Sequence, residues 1–147
     1  MILTNKGLDL PISGAPSADI DSSTTINTIA ILGPDYVGLK PTMLVKEGDT
    51  VSSGQKLFED KKNPGTYITS PSSGVVESIN RGEKRRFLSI TIDVDDSIEP
   101  TKFIAADYET PVKFLVDTGA LSYFKTRPYN RIPNKEDLPN AIFINAC

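Results

Sequence analysis

The chain contains no histidine and no tryptophan, and its single cysteine is the last residue, Cys147. Without histidine, its own residues cannot assemble a Ser-His-Asp triad, a Cys-His pair, an imidazole metal cage or an imidazole general base, so self-contained hydrolytic catalysis is not expected. One cysteine makes no intrachain disulfide, which agrees with a reducing compartment. Long apolar runs are missing as well: no window approaches the roughly 20 apolar residues of a membrane-spanning helix. The start, Met1-Ile2-Leu3-Thr4-Asn5-Lys6-Gly7, lacks the basic region and apolar stretch of a secretory signal. The expectation is a soluble chain that a partner can hold at a membrane. Charge of one sign is also in short supply. Sixteen Lys and Arg face nineteen Asp and Glu, a formal charge of −3, so no global field draws nucleic acid and none is expected as a partner.

What is present is turn chemistry between short apolar stretches. The 147 residues, 38% of them apolar, suffice for one domain, or for a small one and part of another. In the run Pro41–Phe58, answered by Ser70–Ile79, apolar Leu44, Val51, Leu57 and Val75 are interrupted by Glu47-Gly48-Asp49, Ser52-Ser53-Gly54 and Ser72-Ser73-Gly74. Glycine supplies positive φ, and Asp or Ser bonds its own backbone, so these are tight turns between short strands. The two halves rhyme, as in a small sandwich of two similar hairpins. The pattern resembles the biotinyl/lipoyl carrier fold, a mainly β barrel-sandwich hybrid.

Further strands are expected around this centre. Leu8–Ile12 reads as a short extended segment limited by Pro11, residues 13 to 25 as a polar loop, and Ile26–Leu32 as a strand entering the core before the turn Gly33-Pro34-Asp35. Thr66–Thr69 follows the turn Asn63-Pro64-Gly65. Phe87–Val94 alternates, with Leu88, Ile90, Ile92 and Val94 on one face and Ser89, Thr91 and Asp93 on the other. The character changes at Asp95–Pro100. Thr110 then suits a helix N-cap, Pro111 its first turn and Gly119 its C-terminal end, with Val112, Leu115 and Val116 on one face. Pro128, Pro133 and Pro139 keep Leu121–Pro139 a loop, and Ala141–Cys147 reads as a buried strand. Such a strand in last place is expected of a chain that continues. Residues 1–99, with a core at 26–96, are therefore read as a carrier-like β-sandwich domain. Residues 100–147 are read as the opening helix, Pro-rich loop and strand of an α/β domain.

Three stretches carry a closer likeness than the fold alone: Lys6-Gly7-Leu8-Asp9-Leu10-Pro11-Ile12-Ser13-Gly14, Leu57-Phe58-Glu59-Asp60-Lys61-Lys62-Asn63-Pro64-Gly65 and Thr126-Arg127-Pro128-Tyr129. Together with Tyr36-Val37-Gly38-Leu39-Lys40-Pro41-Thr42-Met43 they resemble, in order and over essentially the whole chain, the A subunits of the bacterial sodium-pumping NADH:quinone oxidoreductase. That resemblance implies an extrinsic subunit, peripheral on the cytoplasmic face of the bacterial inner membrane, in a six-subunit complex with partners B to F. The complex passes electrons from NADH to ubiquinone or menaquinone and exports sodium. It further implies quinone binding near the membrane surface and no firmly bound flavin or metal here, with FMN, FAD, riboflavin and Fe–S in partner subunits. The chain alone is not expected to be catalytic.

A wider likeness links residues 100–147 to flavin-binding subunits of respiratory NADH dehydrogenases, which carry a Gly-rich loop after the equivalent helix. Here Leu121, Tyr123 and Lys125 stand where glycines would. Backbone amides cannot approach a phosphate closely past such side chains, so FMN and NADH binding is not expected at this loop.

Three groups of residues are candidates for function. Tyr36, Val37, Gly38 and Leu39 form a Gly-containing apolar turn, and Phe124 and Arg127 lie in the Pro-rich loop. Either segment offers a quinone head group apolar walls and a donor for its carbonyl oxygens, and either also serves as ordinary packing. Arg81, Lys84, Arg85 and Arg86 put four cations in six residues on a turn. That turn reads as a solvated hairpin or as a docking point for another protein of the complex or an anionic membrane. Excluding water around such a turn is costly, so it is expected farther from the quinone than the other two segments. Lys61 and Lys62 stand roughly where a carrier domain presents its modified lysine, but Asn63-Pro64-Gly65 is expected to place the turn after them. A biotin or lipoate carrier domain and a purely structural docking module are the alternative functions.

Overall fold

The computed structural model describes residues 13–15 and 17–144. Seven strands follow one another: β1 (Thr28–Leu32), β2 (Pro41–Met43), β3 (Thr50–Val51), β4 (Lys56–Asp60), β5 (Tyr67–Thr69), β6 (Gly74–Arg81) and β7 (Phe87–Val94). They make two antiparallel sheets, ordered β1-β7-β6-β3 and β2-β4-β5. The core draws on both: Ile31, Val51, Val76, Phe87, Ile90 and Ile92 come from the first sheet, Leu57, Phe58 and Ile68 from the second. The molecule is mainly β, as the turn chemistry implies. The two Ser-Ser-Gly turns that rhyme in sequence meet in space, where Ser53 N donates to Ser73 Oγ at 2.9 Å and Gly54 N donates to Ser70 O at 2.8 Å.

Several inward positions differ from those the sequence suggests. Leu44 and Val75 are exposed, and their neighbours Val45 and Val76 are buried instead. The pairing of Thr50 with Val75 and of Val51 with Gly74 turns Val75 outward, and strict alternation then turns Val76 inward. Leu88 also points outward. Asn80 opposes Ser89 while Arg81 opposes Phe87, so Leu88 is the extra residue of a bulge that reverses the alternation and sends Phe87 into the core. In β1, an edge strand, Ile31 alone is fully in the core and Leu32 is exposed, because the strand buries one face only.

The helix α1 (Pro111–Asp117) starts and stops where its caps predict. Thr110 Oγ1 accepts from Lys113 N at 3.2 Å, and Gly119 takes φ +75° just beyond the end. Val112 is exposed, whereas Phe114 is partly buried and meets Tyr108 edge to face at 5.2 Å. Gly119 is also a close approach: a Cβ there would lie 2.6 Å from Thr69 Cγ2 on β5. Residues 141–144 are not a buried strand. They pair with no described strand, and Ile142, Phe143 and Ile144 are exposed, because a strand without a neighbour has no ladder to join. Asn145, Ala146 and Cys147, like the extended segment expected at Leu8–Ile12, lie outside the described residues.

Lys61 and Lys62 do not precede the β4–β5 turn. They occupy the middle of its first bend, which closes by Asn63 N donating to Asp60 O at 3.0 Å. The second bend, Asn63–Thr66, follows directly, with Thr66 N donating to Asn63 O at 3.1 Å. Asn63 is itself tied down, its Nδ2 donating to Pro133 O at 3.0 Å.

Candidate functional site: an aromatic cleft with a basic wall

After β1 the chain makes a single 3-10 turn, Gly33–Asp35, with Pro34 pre-set for its first position. Tyr36 N donates to Gly33 O, and Leu39 N donates back to Tyr36 O, each at 3.2 Å. The second of these turns has Gly38 at φ +78°, the conformation a type II turn requires of its third residue. Gly33 is needed for another reason, since a Cβ would sit 2.5 Å from Phe87 O. Asp60 locks the far end of the segment. Its buried carboxylate Oδ1 accepts from Lys40 N and from Lys62 N, both at 3.0 Å. Charge-assisted bonds of this kind hold loops firmly.

The opposite wall is the β6–β7 hairpin tip. Arg86 N donates to Glu83 O at 3.1 Å across Lys84 and Arg85, which take φ +53° and +62°. Positive φ at both central positions is the type I′ geometry that suits a hairpin's twist and ordinarily selects Asn-Gly. Here the tip holds two long cations instead. Among the described residues the ion pairs are Lys56–Asp117, Lys102–Glu99 and Lys113–Glu109, so no carboxylate lies within 4.0 Å of the cations of the tip.

Between the walls lies an open cleft of about 710 Å³, lined by residues of 33–41 on one side and 81–87 on the other. Tyr36 and Phe87 both pack on Phe58, at centroid distances of 6.4 and 5.1 Å with steeply inclined rings. Such contacts contribute about 1 kcal/mol each beyond the area they bury. Burial pushes the Tyr36 phenol above its ordinary range, and Tyr123 and Asp35 add to the shift. The hydroxyl therefore stays protonated and able to donate. Lys125 Nζ stands 5.2 Å from the centre of the Tyr36 ring, and partial burial lowers its pKa against the opposing pull of Asp35.

The structure thus brings Tyr36, Val37, Gly38 and Leu39 together with Arg81, Lys84, Arg85 and Arg86 on one cleft, two groups that the sequence keeps more than 40 residues apart (81 − 39). Phe124 and Arg127 do not line it. Arg127 stacks over the Phe143 ring at 4.8 Å, and it is their neighbour Lys125 that stands over Tyr36. Phe87, Lys40 and Lys125 are site residues that sequence reasoning misses. The first is signalled by the Phe-Leu pair at a strand start, whereas nothing local announces Lys125, whose partner is 89 residues away in sequence (125 − 36). At the loop where a flavin cradle would be, Ala120–Tyr123 forms a 3-10 turn with Leu121 and Ser122 buried. Among the described residues no helix is long and apolar enough to cross a membrane.

Two small antiparallel sheets wrapped on one core, followed by a capped helix and an irregular segment, define a barrel-sandwich domain joined to part of a second unit. The chain matches the model of the NqrA N-terminal barrel-sandwich hybrid domain over residues 2–95 and that of the NqrA second alpha/beta domain over residues 106–147. It is 46% identical to a protein of Actinobacillus pleuropneumoniae serotype 5b over 99% of this chain and 34% of that protein. Identity to a Photorhabdus laumondii protein is 47%, and to one of Haemophilus influenzae strain PittGG 46%, over the same shares. All three are named as the A subunit of Na(+)-translocating NADH-quinone reductase. The chain belongs to the NqrA family, and it spans about a third of the length of these curated relatives.

Proposed function

We propose that this chain is the N-terminal part of the A subunit of a sodium-translocating NADH:quinone reductase, and that its cleft borders the quinone. The observation that carries the reading is the 46% identity along 99% of the chain to proteins of that name. On this reading the chain works within a six-subunit complex with partners B to F, peripheral on the cytoplasmic face of the inner membrane, and is not catalytic alone. FMN, FAD, riboflavin and Fe–S reside in the partner subunits, and ubiquinone or menaquinone is the acceptor. Residues 1–99 form the carrier-like domain, and 100–147 open the second. The buried 3-10 turn at 120–123 supports the expectation that neither FMN nor NADH is held at that loop.

The chemistry of the cleft suits a quinone head group. Tyr36, Leu39 and Phe87 offer an apolar and aromatic wall, and the protonated Tyr36 hydroxyl can donate to a quinone carbonyl oxygen. Phe124 and Arg127, on either side of Lys125, do not line the cleft in this chain alone and on this reading come near the quinone only in the assembled complex. Val37, exposed on the cleft wall, is the position to obstruct. In the assembled complex Val37→Trp is expected to raise the KM for quinone about tenfold, a binding loss of about 1.4 kcal/mol. NADH oxidation by a soluble artificial acceptor should be unchanged. An unaltered quinone KM rejects the cleft as the quinone's neighbour.

A further inference from the structure

The wall of the cleft formed by the β6–β7 tip has a property that the quinone reading does not use. Arg81, Lys84, Arg85 and Arg86 are all exposed, and none has a carboxylate within 4.0 Å among the described residues. They form a concentrated positive patch on a chain whose formal charge is −3. Two exposed apolar side chains flank it. Val37 faces the tip across the cleft, and Leu88, turned outward by the bulge, packs beside Gly82, where a Cβ would meet its methyls at 3.3 Å. The carboxylates around it are Glu83 within the tip, Asp35 beside Tyr36 and Glu47, which accepts from Ile79 N on β6 at 2.8 Å.

We infer that this tip docks on an anionic phospholipid bilayer, with the four cations among the headgroup phosphates and Val37 and Leu88 against the interface. Charge complementarity carries the choice of occupant. A cluster of unpaired cations on an exposed, rigid hairpin gains Coulomb attraction from a dense anionic surface without breaking existing ion pairs. Apolar side chains at the rim favour an interface with an apolar interior over a soluble acidic partner. Because the tip is one of its walls, docking brings the cleft to the bilayer surface, beside the phase in which an apolar quinone is dissolved.

The test is vesicle co-sedimentation of the 147-residue chain, using vesicles with about one-third phosphatidylglycerol in phosphatidylcholine, or phosphatidylcholine alone, over a salt series. The expected result is binding to the anionic vesicles only, weakening as salt rises. Each cation removed should lower partitioning about fivefold. The quadruple Gln variant at Arg81, Lys84, Arg85 and Arg86 should therefore lose binding by about 600-fold. A double variant, Lys84→Asn with Arg85→Gly, keeps the type I′ turn and should lose about 25-fold, so a misfolded quadruple variant leaves the inference testable. Val37→Ser should weaken binding without changing its salt slope. Inorganic phosphate and glycerophosphate at millimolar concentration should not displace the chain; displacement by either means a soluble phosphate site and overturns the proposal. Equal binding to neutral vesicles, no binding to anionic ones, or an unaffected double variant also overturns it. If the double variant instead weakens only association with the other proteins of the complex, the tip is a protein contact and the bilayer assignment falls.

Discussion

Ten apolar side chains, nine from the two sheets and Val45 from the loop between β2 and β3, share one core in residues 31–92, whereas in residues 101–144 Leu121 is the one fully buried apolar side chain. Tyr123, Tyr129, Phe143 and Ile144 in the second region are each more than 70% exposed. The barrel satisfies its own hydrophobic demand. The second region adds Ile132 to the rim of that core and is otherwise held by close approach and polar clamps: Gly119 against Thr69, Thr101 N donating to Ser53 O at 2.8 Å, Asn63 Nδ2 donating to Pro133 O, and the Lys56–Asp117 pair at 3.9 Å. Exposed ion pairs of that kind contribute about 1 kcal/mol at most. The cleft is lined by residues of the barrel, and the second region adds Lys125 over the Tyr36 ring, Tyr123 acting on the Tyr36 phenol and Arg131 beside Gly38.

The sharpest way to break this contrast is to damage the barrel. Phe58 is fully buried and joins Tyr36 to Phe87, so Phe58→Ala is expected to cost about 3–5 kcal/mol in denaturant unfolding and to disorder the cleft. Asp60→Ala comes next, at about 2–3 kcal/mol, because it strips the acceptor from the Lys40 and Lys62 amides and leaves them unsatisfied. Retained stability in either variant would mean that the barrel is not the cohesive unit.

Gly119→Val attacks the other side. It forces a β-branched residue to φ +75° and drives a side chain into Thr69, a local cost of about 1–3 kcal/mol. Limited proteolysis should then cut within 101–144 while the barrel's unfolding midpoint hardly moves. Concerted loss of both regions would show them to be one unit.

A smaller effect, of opposite sign, is expected at the tip. Lys84→Asn with Arg85→Gly puts the two residue types that best tolerate left-handed backbone at these positions and should stabilise the barrel by about 1 kcal/mol, after the entropy that glycine returns to the unfolded chain. The smallest concerns Lys125. Burial lowers its pKa, so its charged form is penalised in the fold, fully below the folded pKa and no longer once pH exceeds the ordinary lysine value of about 10.4. Lys125→Met should be slightly stabilising at pH 7, and the gain should fade as pH rises through that range in a series of thermal melts. A gain independent of pH would assign the effect to packing.

The contrast between the regions also marks what is legible in the sequence. Turn residues at hairpin spacing announce the strands of the barrel, and Thr110, Pro111 and Gly119 announce the helix, because caps and turns are local chemistry. Register is less legible. One bulge at Leu88 exchanges it with Phe87, and one residue's slip exchanges Val75 for Val76, since a two-residue period carries no label for its phase. Ala141–Ile144 has the composition of a buried strand, yet no described strand pairs with it, and composition alone makes no ladder. Tyr36–Leu39 and Arg81–Arg86 each stand out by residue type. Their meeting across one cleft depends on β1 and β7 pairing, 65 residues apart from Thr28 to Asp93, which no local pattern encodes.

That the cleft of the barrel borders the quinone is tested most directly by crosslinking. A photoreactive quinone should be activated in the whole complex and the labelled peptides mapped. Label is expected on Tyr36 to Leu39, and more weakly on the Phe124 to Arg127 loop that carries Lys125, displaced by excess unlabelled quinone. Labels confined to other proteins of the complex, or to residues of this chain away from the cleft, contradict the account.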